Sequence, residues 1–389
     1  GTLTARRAST KTTYERQMTL LRDIGMAALG GSILGISTSA YLALVGRVTG
    51  MSGTLRSSYL QLTGQTGPNP MNFIYLGGLL AGGAVMHMLY PAGFEEGGYS
   101  TAMMVGSGVL VGLGTTIGHG CTSGHGLCGL ARFSKRSLVA VVSFFGTGLI
   151  TASALYWVMK SDWEPVESPP DSFPRANMAY GVWASASLLV VYGSYLVRDV
   201  FHILSAFGCS FTFAVGLSLS GMLKPTKVHG FLAVNQNWDP SLAFVLGGGL
   251  GVNLLLWPTI MKWHAPIARD AFDLPTSVEV KPDLVYGGIL FGLGWAIGGV
   301  CPGPGVVGLS GGYGMSMLMW LLGCVAGQQA AVIIPKLLKS PKAPAKSLKS
   351  DADRKVAQLH LCCVQKKHEL SCLKGSSSIG GMDEATPLQ

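Results

Sequence analysis

VLVGLGTTIGHGC (Val109–Cys121) and ILFGLGWAIGGVC (Ile289–Cys301) align without a gap at an offset of 180 residues, with seven of thirteen positions identical and a cysteine at the end of each. Each closes a charge-free run, Ala102–Ile117 in the first case and Leu284–Ile297 in the second, that passes directly into glycine. A helix needs roughly 20 apolar residues to cross about 30 Å of hydrocarbon, and both runs are shorter than that. Backbone that leaves the helix at membrane depth survives only where protein buries it or a watery cavity receives it. The two stretches therefore read as broken helices, one in each of two copies of a single unit. Echoes on either side extend the repeat. LGG at Leu76–Gly78 recurs at Leu246–Gly248, and Arg22-Asp23 before the first apolar run recurs as Arg198-Asp199.

Longer apolar runs surround these two: Ile24–Val45, Phe73–Tyr90, Leu138–Met159, Ala179–Val197, Phe201–Met222, Ser241–Met261 and Met315–Ile334. Charged residues make up 12% of the chain and hydrophobic ones 48%, where a soluble domain carries roughly 25% charged residues. The fold class expected is an all-α polytopic membrane protein with two tandem repeats, its broken helices meeting at mid-membrane. The segments are a basic N-terminal tail (1–19), a first membrane repeat (20–160), a linker with a connecting helix (161–197), a second membrane repeat (198–337) and a basic tail (338–389) whose Lys, Ser and Gly character resists a packed core. If each interrupted run is one crossing, an odd number of crossings separates Arg22 from Arg198 and the second copy is inverted, an architecture of transporters. If the interrupted run re-enters on its own side, the copies are parallel.

The 55 glycines suit close helix packing. The net charge of +9 collects in the two tails and reads as a topology signal or a contact with anionic lipid, not as a nucleic-acid surface. Basic residues in alternate loops favour a cytosolic C-terminus in the plasma membrane, although Arg6, Arg7, Lys11, Arg16 and Arg22 weigh the other way. Residues 1–22, basic and rich in Ser and Thr, have a transit-like composition. Cys362, Cys363 and Cys372 in the tail read as free thiols.

His119, Cys121, His125 and Cys128 are four ligands of a type that zinc accepts. The repeat speaks against a metal, because the second copy has Gly299 at the place of His119, no histidine opposite His125, and only the cysteine retained, as Cys301. A Cys–His nucleophile meets the same objection, and no acidic residue lies nearby to orient the imidazole. No metal, cofactor or catalytic residue is expected. The apolar runs contain no Asp, Glu, Lys or Arg, whereas cation carriers and proton relays place a carboxylate inside the membrane. That leaves an anion or a neutral solute. For an anion the donors at hand are glycine N–H groups, helix N-termini, hydroxyls and thiols. GCTSGHG (Gly120–Gly126) and CPGPG (Cys301–Gly305) have this form. A thiol is soft and polarizable, which suits a sulfur-bearing anion better than sulfate or phosphate.

GHGCTSGHGLCGLARFSKRS (Gly118–Ser137) closely resembles the signature of the YeeE/YedE family of sulfur-transport membrane proteins, and FGLGWAIGGVCPGPGVVGL (Phe291–Leu309) resembles the signature of its second half. The likeness covers residues 20 to 337, and the chain looks like a fusion of two half-proteins. The resemblance implies uptake of thiosulfate, or a similar small sulfur anion, through an hourglass whose pore cysteines relay the ion. It assigns Cys121 and Cys301 to the constriction, with Gly120, Thr122, Ser123, Gly124 and His125 shaping one loop and Pro302, Gly303, Pro304 and Gly305 the other. Full-length members also carry a third cysteine early in the first half. This chain has none before Cys121, and Cys128 or Cys209 stands as a substitute.

Cys128, Cys209 and Cys324 also fit the plainer role of small packing residues. Arg132, Lys135 and Arg136, just beyond the first motif, set topology or line an anion-collecting vestibule. The expected partners are the sulfur anion, the lipid bilayer and a sulfur-carrier or sulfurtransferase protein, with no nucleic acid. Two rival functions are a membrane-embedded sulfurtransferase and a regulatory membrane subunit. The lack of a rhodanese-like domain disfavours the first, and cysteine-glycine loops in both halves disfavour the second.

Overall fold

Eleven helices and a π-helical segment account for most of the described residues, which in the computed structural model are 2–95, 100–159, 198–234, 238–311 and 314–338. The expected run Ala179–Val197, the linker and the tail cysteines lie outside them. The helices are α1 (Thr2–Val45), α2 (Met51–Leu62), α3 (Pro70–Leu89), α4 (Thr101–Ile117), α5 (Lys135–Met159), α6 (Arg198–Ser220), α7 (Pro225–Leu232), α8 (Ser241–Ile260), α9 (Pro282–Gly298), α10 (Pro302–Val307) and α11 (Gly314–Leu338). The π-helical segment, Thr122–Gly129, follows α4. No strand forms among the described residues beyond an isolated bridge between Arg47 and Asp273. The protein is an all-α multi-pass membrane protein. Among these residues six helices are long and apolar enough to span a membrane. Two further helices pair with a short segment beyond a break, α4 with the π-helical segment at a bend of 47° and α9 with the helix after it at 44°.

Helix boundaries follow local chemistry. Asn69 caps α3 by accepting the Met71 N–H at 3.2 Å, and Pro70 opens the first turn, where a missing N–H costs nothing. Gly46 and Gly221 stand just past α1 and α6 with φ of 75° and 77°, the left-handed turn that ends a helix without a Cβ clash. The last carbonyls of α1 are taken up by the loop before α9, with Ile267 N–H donating to Ala43 O and Ala268 N–H to Leu44 O, both at 2.9 Å. The Arg47–Asp273 ion pair at 3.0 Å ties the same loop down.

Close contacts fix the helix directions. Gly31 meets Val245 and Gly35 meets Gly249, so α1 and α8 run parallel. Gly78 meets Phe207 and Gly82 meets Phe211, so α3 and α6 also run parallel. α1 and α6 run antiparallel, since Gly30 lies against Gly216 and Ser220 while Ser37 reaches back to Cys209 O. α4 and α9 are likewise antiparallel, with Gly114 at Gly287 and Phe291 and Gly294 at Ser107 and Val111. α5 runs beside α9, and α11 beside α4, in the same direction. As a result α5 ends, and α6 begins, on opposite faces of the helix layer.

The α4–α9 crossing is backbone against backbone. A Cβ added at Gly287 would strike Gly118 N and Gly114 O, and one at Gly114 would strike Gly287 O and Phe291 N. Gly287→Val should therefore force the crossing apart and destabilise the fold by about 1–3 kcal/mol, the usual cost of overpacking. Gly77→Val, where nothing lies within 4 Å of an added Cβ, should change little. Thermal unfolding of the two variants in detergent checks this, and equal midpoints would contradict it.

Candidate functional site

The two helix breaks repeat the same backbone sequence of states. α4 ends at Ile117, His119 turns left-handed with φ 56°, Cys121 is extended at φ −133° and ψ −174°, and a helical segment follows. α9 ends at Gly298, Gly299 turns left-handed with φ 65°, Cys301 is extended at φ −118° and ψ 167°, and α10 follows. Positions 180 residues apart thus adopt one geometry. Glycine takes the left-handed turn freely, whereas histidine bears a steric cost there.

Each break leaves helix-end carbonyls that need partners. His125 supplies one, its Nε2 lying 3.3 Å from Gly118 O while its Nδ1 lies 3.1 Å from Ser137 Oγ. At the second break the buried His229 of α7 lies close to the carbonyls of Ala296 and Ile297. Asn253 of α8 supplies a third. Its Nδ2 donates to Leu127 O at 3.1 Å, and its Oδ1 accepts from Thr38 and Ser39 at 2.9 and 2.8 Å.

Cys121 and Cys301, 1% and 4% exposed, lie on the wall of one inner cavity of about 70 Å³. Thr122, Ser123, Pro302 and Gly303 line it too, with Met51, Met222, Phe144, Phe145 and Trp295. Among the described residues no charged side chain reaches it. Ser123 Oγ lies 3.3 Å from Cys121 Sγ, and the Thr122 side chain is the polar neighbour of the Cys301 thiol. The rings are held by edge contacts, with Phe145 and Trp295 centroids 5.4 Å apart.

An outer cavity of about 900 Å³ lies on the other side of the π-helical segment. Gly120, Gly124, His125 and Cys128 face it, with His119, whereas Cys121, Thr122, Ser123 and Leu127 face the inner cavity. The segment is thus the partition between them. Arg56, Arg132, Lys135 and Arg136 also line the outer cavity, and among the described residues no carboxylate does. The cavity sits where α5 and α9 begin, at the end of the molecule where α4 and α11 finish. Arg132 donates to Pro275 O at 2.8 Å, fixing one wall.

The remaining candidates fall elsewhere. Cys209 of α6 is buried outside both cavities, its carbonyl accepting from Ser37 Oγ at 2.6 Å. Gly305 is packed beneath Trp320 and lines neither cavity. The Cys128 thiol donates weakly to Thr49 O at 3.8 Å. The four residues that suggested zinc are split between the two cavities, and among the described residues no three His, Cys, Asp or Glu side chains gather as a metal site. Sequence reasoning missed Arg56, Met51, Met222, Asn253 and His229. Only Asn253 carried a visible signal, as an amide inside a charge-free run.

A family profile described as a family of unknown function (DUF6691) matches residues 201–343. A protein named "Probable transporter" from Xylella fastidiosa, strain Temecula1, is 37% identical over 123 residues, which cover 82% of that protein and 31% of this chain. A protein of the same name from a second strain is 36% identical over 130 residues, covering 86% of it and 33% of this chain. No solved structure matches the chain.

The two histidines of the first motif should behave oppositely when replaced. His119→Gly removes the left-handed strain and should leave stability equal or raise it, by up to about 1–2 kcal/mol. His125→Ala strands Gly118 O and Ser137 Oγ and should cost about 1–3 kcal/mol. Thermal unfolding in detergent measures both, and a loss of stability in His119→Gly would contradict the backbone account.

Proposed function

The chain belongs to the family of the Xylella fastidiosa probable transporters, and on that premise we propose that it carries thiosulfate, or a related small sulfur anion, across the membrane through a constriction between Cys121 and Cys301. The observation that carries this is the equivalent placement of the two thiols. Each follows a left-handed turn and opens the segment beyond its break, and both lie on the wall of one cavity. The antiparallel run of α1 against α6 and of α4 against α9 supports an inverted pair of repeats, of the YeeE/YedE type, fused in one chain. The relatives, which match about a third of this chain, fit such a fusion.

In this mechanism charge and softness act in turn. The outer cavity, with four cationic side chains and, among the described residues, no carboxylate, attracts the anion onward from the constriction. The inner cavity offers thiols and hydroxyls within an apolar wall, which favours a weakly hydrated sulfur anion over a strongly hydrated oxyanion. With the C-terminus cytosolic in the plasma membrane, the basic cavity lies on the cytosolic side. Inward movement of an anion against an inside-negative potential costs about 2.3 kcal/mol per charge per 100 mV, and the cations offset this locally at the inner mouth. A soluble sulfur-carrier or sulfurtransferase protein would then take up the ion.

Uptake of labelled thiosulfate by cells expressing the protein tests the proposal, with labelled sulfate as the comparison. Cys121→Ser and Cys301→Ser should each lower thiosulfate uptake about two- to fivefold, the effect of losing one weak contact of about 0.5–1 kcal/mol. Undiminished uptake in the double serine variant at equal membrane expression would overturn it.

A further inference from the structure

Four sulfur-bearing side chains line the inner cavity, Cys121, Cys301, Met51 and Met222. They come from four different parts of the chain, and nothing in the sequence joins Met51 or Met222 to the two cysteines. Met51 opens α2, and its N–H donates to Ser123 Oγ at 3.4 Å, the same hydroxyl that touches Cys121 Sγ. An added Cβ on Gly303, two residues beyond Cys301, would lie 3.3 Å from Met51 Cγ, so Met51 also packs against the second motif. Met222 follows α6 and closes the wall from the other half. The cavity's volume, about 70 Å³, has room for a single small ion.

We propose that this cavity binds one thiophilic monovalent cation of the Cu(I) or Ag(I) class, held between Cys121 and Cys301 with Met51 and Met222 as thioether donors. Thiolate and thioether ligands select such soft ions, while carboxylate and carbonyl oxygens suit hard ones, and among the described residues no charged side chain lines this wall. Binding exchanges a proton for the metal. One thiol gives its S–H proton to solvent and forms a metal–thiolate bond, and the second thiol and the thioethers donate lone pairs without losing protons. The resulting complex is neutral, as an apolar cavity requires. Cys128 faces the outer cavity, and Cys209 and Cys324 line neither, so none of the three joins this group. An ion so held occupies the thiols assigned above to the sulfur anion and blocks it.

The test uses Ag(I), which does not change oxidation state, on full-length protein in detergent with Cys362, Cys363 and Cys372 replaced by Ser. In titration against a competing chelator, this parent should bind one more Ag(I) than its Cys121→Ser/Cys301→Ser derivative. Met51→Leu/Met222→Leu should bind that ion at least tenfold more weakly, while retaining both thiols. Equal stoichiometry in parent and serine variant, or unchanged affinity in the leucine variant, overturns the site. Should a variant fail to fold, X-ray absorption on the Ag(I)-loaded parent decides. More than two sulfur neighbours supports the site, and two or fewer overturns it. None of these readouts involves transport, so the metal site and the transport proposal can fail separately.

Discussion

Two helices stop inside an apolar layer, and each backbone carbonyl they release must find a partner without help from bulk water. Much of the structure around the breaks answers that requirement. His125 turns inward to Gly118 O, His229 reaches across from α7 to the end of α9, and Asn253 joins α8 to the π-helical segment and to α1. These polar side chains look out of place in apolar helices until the stranded carbonyls are counted. They also explain why imidazoles sit beside the cysteines without gathering into a metal site.

Glycine meets the second requirement, that the two breaks lie near each other. Gly114 and Gly287 let α4 and α9 cross with their backbones in contact, which no larger residue permits. The breaks then deliver Cys121 and Cys301 to one cavity. The π-helical segment divides the space around them, so the basic side chains lie on one side and Cys121 and Cys301 on the other. Charge close to the thiols would favour hard, hydrated ions. Separating the two keeps the inner wall soft.

Histidine at position 119 illustrates how one geometry tolerates different residues. The left-handed turn is essential to the break, and Gly299 meets it without strain. His119 adopts the same turn at the rim of the outer cavity, where its ring has room.

The sequence by itself determined the all-α membrane class, the positions of the six long spans and the two breaks, because apolar run length and glycine placement are local properties that hydrocarbon enforces residue by residue. It also singled out Cys121 and Cys301, since the internal repeat separated what both halves keep from what one half adds. It did not reveal that Cys209 lies outside both cavities, that Arg56 joins Arg132, Lys135 and Arg136, or that Met51 and Met222 meet the two thiols. Those groupings bring together segments seventy or more positions apart. Only the crossing of α4 with α9 and the path of the loops around it decided them, because nearness in space between distant segments is set by packing and leaves no mark on either segment alone.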